Sequence, residues 1–151
     1  LAAHDVKDRK VYVADSFAGL PPPDAAAYPE DRGDKHHEIS LLTVSEDDVR
    51  ENFRKYGLLD EQVVFLKGWF KDTLPTAPFE RLAVIRLDGD MYESTMDALT
   101  SLYPKLSPGG YCIIDDCHLA PCKRAVDDYR QAHKIRAPLR RIDANSAFWQ
   151  K

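Results

Sequence analysis

Three apolar runs in this chain end in acids, and that pattern constrains the fold more than any other feature. Lys10–Asp15 ("KVYVAD"), Leu82–Leu87 followed by Asp88-Gly89-Asp90, and Tyr111–Ile114 followed by Asp115-Asp116 are short, near-continuous apolar segments. Val63–Leu66 is a further run of the same kind, closed by Gly68. Runs of this length and evenness read as strands buried on both faces, as in parallel sheets. Helical patterns lie between them. Ser45 opens one, with Asp48 three residues on as a partial capping box, and Gly57 is a natural stop. Phe70–Leu74 is a short turn ended by Pro75. Met91–Leu106 places Thr95, Leu99, Leu102 and Leu106 on one face. Pro121 suits the first turn of a helix running to about His133. Pro108-Gly109-Gly110 reads as a turn, and Arg140–Ile142 with Ala147–Trp149 as a closing hairpin around Asn145-Ser146.

Strands alternating with helices predict one α/β domain over residues 1–151, Rossmann-like and doubly wound, with a mostly parallel sheet and a C-terminal antiparallel hairpin. The length of 151 residues suffices for one core. A net charge of −4 argues against a nucleic-acid partner, and no run approaches a membrane span. Cys112, Cys117 and Cys122 form no paired motif and fit free thiols in a reducing compartment, the cytoplasm. Their spacing raises a soft-metal site only as a minor option. His36 and His37 fall in a long polar loop and read as solvated, and His118 as an ordinary loop residue.

In open α/β sheets, ligands bind at the carboxyl ends of strands. Asp88, Asp90, Asp115 and Asp116 meet at that edge. Like charges so placed must be hydrated, protonated or neutralised, and a hard divalent cation such as Mg²⁺ is the economical partner. Gly89 is expected to let the backbone turn between Asp88 and Asp90. Asp15, at the end of an early strand, suits hydrogen bonds from a ribose diol. Gly68 permits close approach of a ligand, and Trp69 and Phe70 can stack on a purine or serve the core.

Several segments together carry a resemblance: "VADSFAGLPPPD", "NFRKYGLLD", "GWFKDTLP", "LAVIRLDGDMYESTMDAL", "LYPKLSPGGYCIIDDCH" and "AVDDYR". From about Val11 to Trp149 the chain resembles the macrocin O-methyltransferase family of the TylF/MycF type. The resemblance implies a class I methyltransferase fold that uses S-adenosylmethionine and Mg²⁺ to methylate a hydroxyl of a sugar or similar small natural product. It implies Asp88, Asp115 and Asp116 as metal ligands and Asp90 as the general base. Asp15, with Ser16 beside it, would bind the cofactor ribose, and Gly68, Trp69 and Phe70 the adenine side. A homo-oligomer stays open.

The family's substrate lid, first strand and glycine-rich methionine-binding loop are not found in the sequence. Leu1–Arg9 resembles the tail of the helix after that loop. The chain is therefore expected to be a fragment with a gap beside the strand ending at Asp15 and with weak or absent cofactor binding. The alternatives weighed are a metal-dependent nucleotide-sugar glycosyltransferase using the Asp88-Gly89-Asp90 stretch, and a non-catalytic methyltransferase-fold fragment.

Overall fold

β1 (Val11–Asp15) and β2 (Val63–Lys67) pair in parallel, from Val11 opposite Val63 to Asp15 opposite Lys67, in the computed structural model, which describes residues 1–151. The buried Gln62 braces the entry to this pair. Its side-chain amide donates to the carbonyls of Val6 and Arg9 at 2.9 and 2.6 Å, and its own carbonyl accepts from Val11 N. The helical tail expected at Leu1–Arg9 is only a 3₁₀ turn, Ala2–His4.

Helix α1 (Glu46–Lys55) lies between these strands in sequence. Ser45 caps it as expected, its Oγ accepting from Asp48 N at 3.2 Å, and Gly57 takes the left-handed conformation after its end. Ser45→Ala should cost about 1 kcal/mol of stability, read as a lower urea midpoint with an unchanged slope.

β3 (Leu82–Leu87) and β4 (Leu106–Ile114) are parallel; β6 (Ala147–Gln150) runs antiparallel to β4, and β5 (Arg140–Arg141) antiparallel to β6. After β2 comes the short helix α2 (Phe70–Thr73), and after β3 comes α3 (Tyr92–Leu102). The helix expected to run to Leu106 stops here because Pro104 has no N–H and its ring clashes with a helical carbonyl. The chain tightens into a 3₁₀ turn, Tyr103–Lys105, and Leu106 already belongs to β4.

The Pro108-Gly109-Gly110 stretch is correspondingly not a turn before a strand but a bulge within β4. Pairing passes from Leu82/Leu106 directly to Val84/Tyr111. Gly110 is required there, since a Cβ would lie 2.7 Å from the Ala83 carbonyl oxygen. Helix α4 (Ala120–Ala132) starts with Pro121 in its first turn and packs on α3.

The core gathers Ile85, Leu87, Leu99, Leu106, Ile114, Val126 and Trp149 from β3, α3, β4, α4 and β6. Trp149 is fully buried, and its indole N–H donates to Tyr103 Oη at 3.2 Å.

The strands do not form one continuous sheet. β1-β2 is one sheet and β3-β4-β6-β5 another. β1 and β3 face each other across a cleft of about 1410 Å³ lined by Val11–Asp15 on one side and Leu82–Leu87 on the other. Both facing edges lack hydrogen-bonded partners across the cleft, and Val11 and Val84 are exposed along it.

Candidate active site

The carboxyl ends of β1 and β3 open into the same cleft. Asp15, Ser16, Trp69, Phe70, Asp88 and Asp90 line it together, and Gly68 adjoins it in the chain. Residues separated by some 75 positions of sequence thus meet at one strand edge, as ligand sites of open α/β sheets require.

At the β1 end, Asp15 Oδ1 accepts from Phe17 N at 2.6 Å, and Phe17 adopts a left-handed backbone with φ 53°. Ser16 Oγ donates to the Gly19 carbonyl at 2.7 Å and accepts from Ala18 N. The carboxylate is thereby oriented through one oxygen, and Oδ2 has no partner in the chain. Trp69 precedes α2 and Phe70 begins it; both are half-buried. Phe70 also packs against the main core, so it serves both readings made from the sequence. Gly68 lies at φ 143°, and its N–H donates to the Asp15 carbonyl at 2.9 Å, closing the β1–β2 ladder.

At the β3 and β4 ends, one oxygen each of Asp88, Asp90 and Asp116 lies within 4.8 Å of the others. This is the one gathering of potential metal ligands in the structure; the cysteines form none. Burial, first, and then repulsion from Asp116 raise the Asp88 carboxyl above its ordinary range, with Arg86 opposing. Asp90 is raised by burial, opposed by His36. Asp116, a buried group, is raised by burial and then by Asp90.

Asp115 stands apart from this trio. Its Oδ2 pairs with Arg86 Nη2 at 2.8 Å and its Oδ1 accepts from Ser146 Oγ at 3.4 Å. The other arm of the same guanidinium, Nη1, pairs with Asp88 Oδ2 at 3.0 Å. Arg86 is therefore a cation bridging Asp88 and Asp115. The carboxylates brought together directly are Asp88, Asp90 and Asp116, whereas the set expected from the sequence was Asp88, Asp115 and Asp116 with Asp90 outside it.

The turn between Asp88 and Asp90 also differs from expectation. Asp90, not Gly89, takes the left-handed conformation, with φ 53°. Gly89 fits a tight place: a Cβ there would sit 3.3 Å from Ser94 Cβ in the first turn of α3.

Two contributions from the long loop were not legible in the sequence. His36 is not simply solvated; its Nδ1 lies 2.6 Å from Asp34 Oδ2, and this bond raises its pKa, with Asp90 and Asp116 adding to the pull. Asp31 is fully buried and reaches the N-terminus of α3. Neither showed a signal, because the partners of both are set by tertiary contacts. His118 is exposed, in keeping with a loop role.

Asp97, also on the cleft, is pushed up to about 6 from 3.8 by burial and by Glu93. A raised carboxyl favours the folded state when protonated, so its contribution is present below 3.8 and is lost as the pH rises through about 6. Asp97→Asn should therefore raise the Tm at pH 7 more than at pH 4, a difference readable by calorimetry at the two pH values.

The α/β domain with its acid-edged cleft matches a solved methyltransferase fold. The chain superposes on the solved structure of the O-methyltransferase NovP with a TM-score of 0.96 and 57% identity, covering 99% of this chain and 63% of that one. It belongs to the macrocin O-methyltransferase (TylF) family, whose pattern matches residues 1–151.

Curated relatives are similar over the whole length. A demethyldecarbamoylnovobiocin O-methyltransferase of Streptomyces niveus is 58% identical over 100% of this chain and 58% of its own length. A mycinamicin III 3''-O-methyltransferase of Micromonospora griseorubida is 51% identical over 100% of this chain and 61% of its own. The chain thus spans about three fifths of the curated relatives it matches. The calicheamicin methyltransferase CalS11, at 19% identity and a TM-score of 0.67 over 94% of this chain and 60% of that one, shares the fold. No helix is long and apolar enough to cross a membrane.

Proposed function

We propose that this chain carries the acceptor-side and ribose-side residues of an S-adenosylmethionine- and Mg²⁺-dependent O-methyltransferase acting on a hydroxyl of a small sugar-bearing natural product. The observation that carries the reading is the single cleft joining Asp15, Ser16, Trp69 and Phe70 to the carboxylates at the end of β3. Its acceptor class follows from the relatives, which are named as methyltransferases of such compounds.

The donor set suits Mg²⁺. It consists of hard carboxylate oxygens only, and burial together with repulsion from neighbouring carboxylates raises Asp88 and Asp116. Asp88, Asp115 and Asp116 would hold the ion. Bound there, it would make the acceptor hydroxyl more acidic.

Asp90 takes the hydroxyl proton. Its raised pKa brings it closer to the range in which a general base works efficiently. Asp15 accepts hydrogen bonds from the ribose through its unengaged oxygen, and Trp69 and Phe70 offer the flat apolar surface for the adenine. Together these residues would orient a bound donor toward the acceptor hydroxyl. A bound donor would supply the methyl from its sulfonium and leave as the thioether, and Asp90 would accept the proton given up by the acceptor hydroxyl.

Calorimetric titration of the protein with S-adenosylhomocysteine, with and without Mg²⁺, tests the reading. Binding lost in Asp15→Ala supports it; binding of a nucleotide sugar instead of the thioether overturns it.

A further inference from the structure

Resting on the reading of Asp90 as the base, we propose that Asp31 is a positioning residue for Asp90, clamping the start of α3 from the far end of the long loop. Asp31 closes the turn Pro29–Asp31 and is fully buried. Its Oδ1 accepts from Tyr92 N at 2.6 Å and its Oδ2 from Glu93 N at 3.0 Å. These are first-turn amides of α3, which has no cap of its own because Met91 stands at the capping position. A helix of this kind normally recruits Ser, Thr, Asp or Asn from the adjacent residue. Here the acceptor comes from 61 residues away.

The consequence falls on Asp90. Its left-handed backbone is a conformation that a residue with a Cβ pays for and that surrounding structure must impose. On its own side a turn bond from Met91 N to the Gly89 carbonyl at 2.5 Å and a 3.4 Å contact from Asp90 N to Asp116 Oδ2 hold it. On the other side the chain is fixed at once: Met91 is fully buried, and Tyr92 and Glu93 are gripped by Asp31. Tyr92 strengthens the same joint, its ring 6.1 Å from that of Tyr28 and its hydroxyl donating to Asp128 Oδ2 of α4 at 3.3 Å. The loop that supplies Asp31 also carries the Asp34–His36 pair. Asp31 thus couples that loop, α3 and the base in one rigid arrangement, and a base placed this way keeps its distance to the other carboxylates.

The clamp is released by Asp31→Asn, which keeps the volume but turns an amide donor toward one of the two N–H groups. Ser45→Ala is the control, since it removes a cap of α1 remote from the site. In the full chain, amide exchange at Asp90 and Tyr92 should quicken about 5-fold or more in Asp31→Asn, the scale of one lost cap. Mg²⁺ affinity, titrated with the metal alone, should stay near that of the unaltered protein, because Asp31 acts on the base and not on the proposed ligands. Ser45→Ala should move neither. Faster exchange at Tyr92 with Asp90 unchanged would reduce Asp31 to an ordinary cap and overturn the proposal. If the unaltered protein takes no Mg²⁺, the metal part of the proposed function fails, and exchange at Asp90 still decides the role of Asp31. Should Asp31→Asn not fold, Tyr28→Ala loosens the same loop while leaving the carboxylate. Faster exchange at Asp90 in that variant supports the proposal, and none overturns it.

Discussion

Asp90→Asn should leave Mg²⁺ affinity near that of the unaltered protein while lowering methyl transfer by about 10²- to 10⁴-fold, the usual worth of a positioned general base. Asparagine matches aspartate in shape, so the left-handed turn and the contact from Asp90 N to Asp116 survive. Lost with the ability to take a proton is one negative charge beside Asp88 and Asp116. The measurement pairs a calorimetric Mg²⁺ titration with single-turnover transfer to a sugar-bearing acceptor. The trio formed by Asp88, Asp90 and Asp116 makes this a sharp test. If Asp90 were itself a ligand, the variant would lose metal, and the separation between base and ligands would collapse.

Asp115→Asn should show the opposite pattern, with Mg²⁺ affinity reduced by at least about 10-fold. Asp115 meets Asp88 through the two arms of Arg86, so the space between these carboxylates is already shaped for positive charge. A divalent ion bound there would compete with the guanidinium, and removing one carboxylate would weaken its hold. Unchanged Mg²⁺ affinity in Asp115→Asn, together with loss in Asp90→Asn, would move the ion to the trio of Asp88, Asp90 and Asp116. Excess Mg²⁺ should restore part of the activity in Asp115→Asn and none in Asp90→Asn.

Much of the architecture was legible because apolar periodicity is local. β1, β2, β3 and the C-terminal hairpin form where alternation and turn residues place them, and Ser45 caps α1 through a contact three residues long. The departures arise where local pattern competes with chain geometry. The face shared by Leu99, Leu102 and Leu106 suggested one long helix, but Pro104 ends it, and Leu106 reaches the core from a strand instead. Pro108-Gly109-Gly110 has the composition of a turn, yet the ladder with β3 absorbs it as a bulge.

The site divides in the same way. The expectations for its chemistry rested on single residues at strand ends: acids calling for a counter-ion, an acid suited to a diol and an aromatic pair beside a glycine. What the residues could not specify is which carboxylates meet. Asp115 and Asp116 are neighbours in the chain, but successive side chains leave a strand in different directions. One turns to Arg86 and Ser146, the other to Asp88 and Asp90.

The sequence by itself determined that acids would stand at the strand ends of an α/β domain, because burial of apolar strands and the exposure of their terminal acids are properties of short segments. Only the tertiary structure decided that Asp90 rather than Gly89 bears the strained backbone, that Arg86 bridges Asp88 and Asp115, and that Asp31 caps α3. Those contacts join residues far apart in the chain, and their existence depends on distances that packing alone sets.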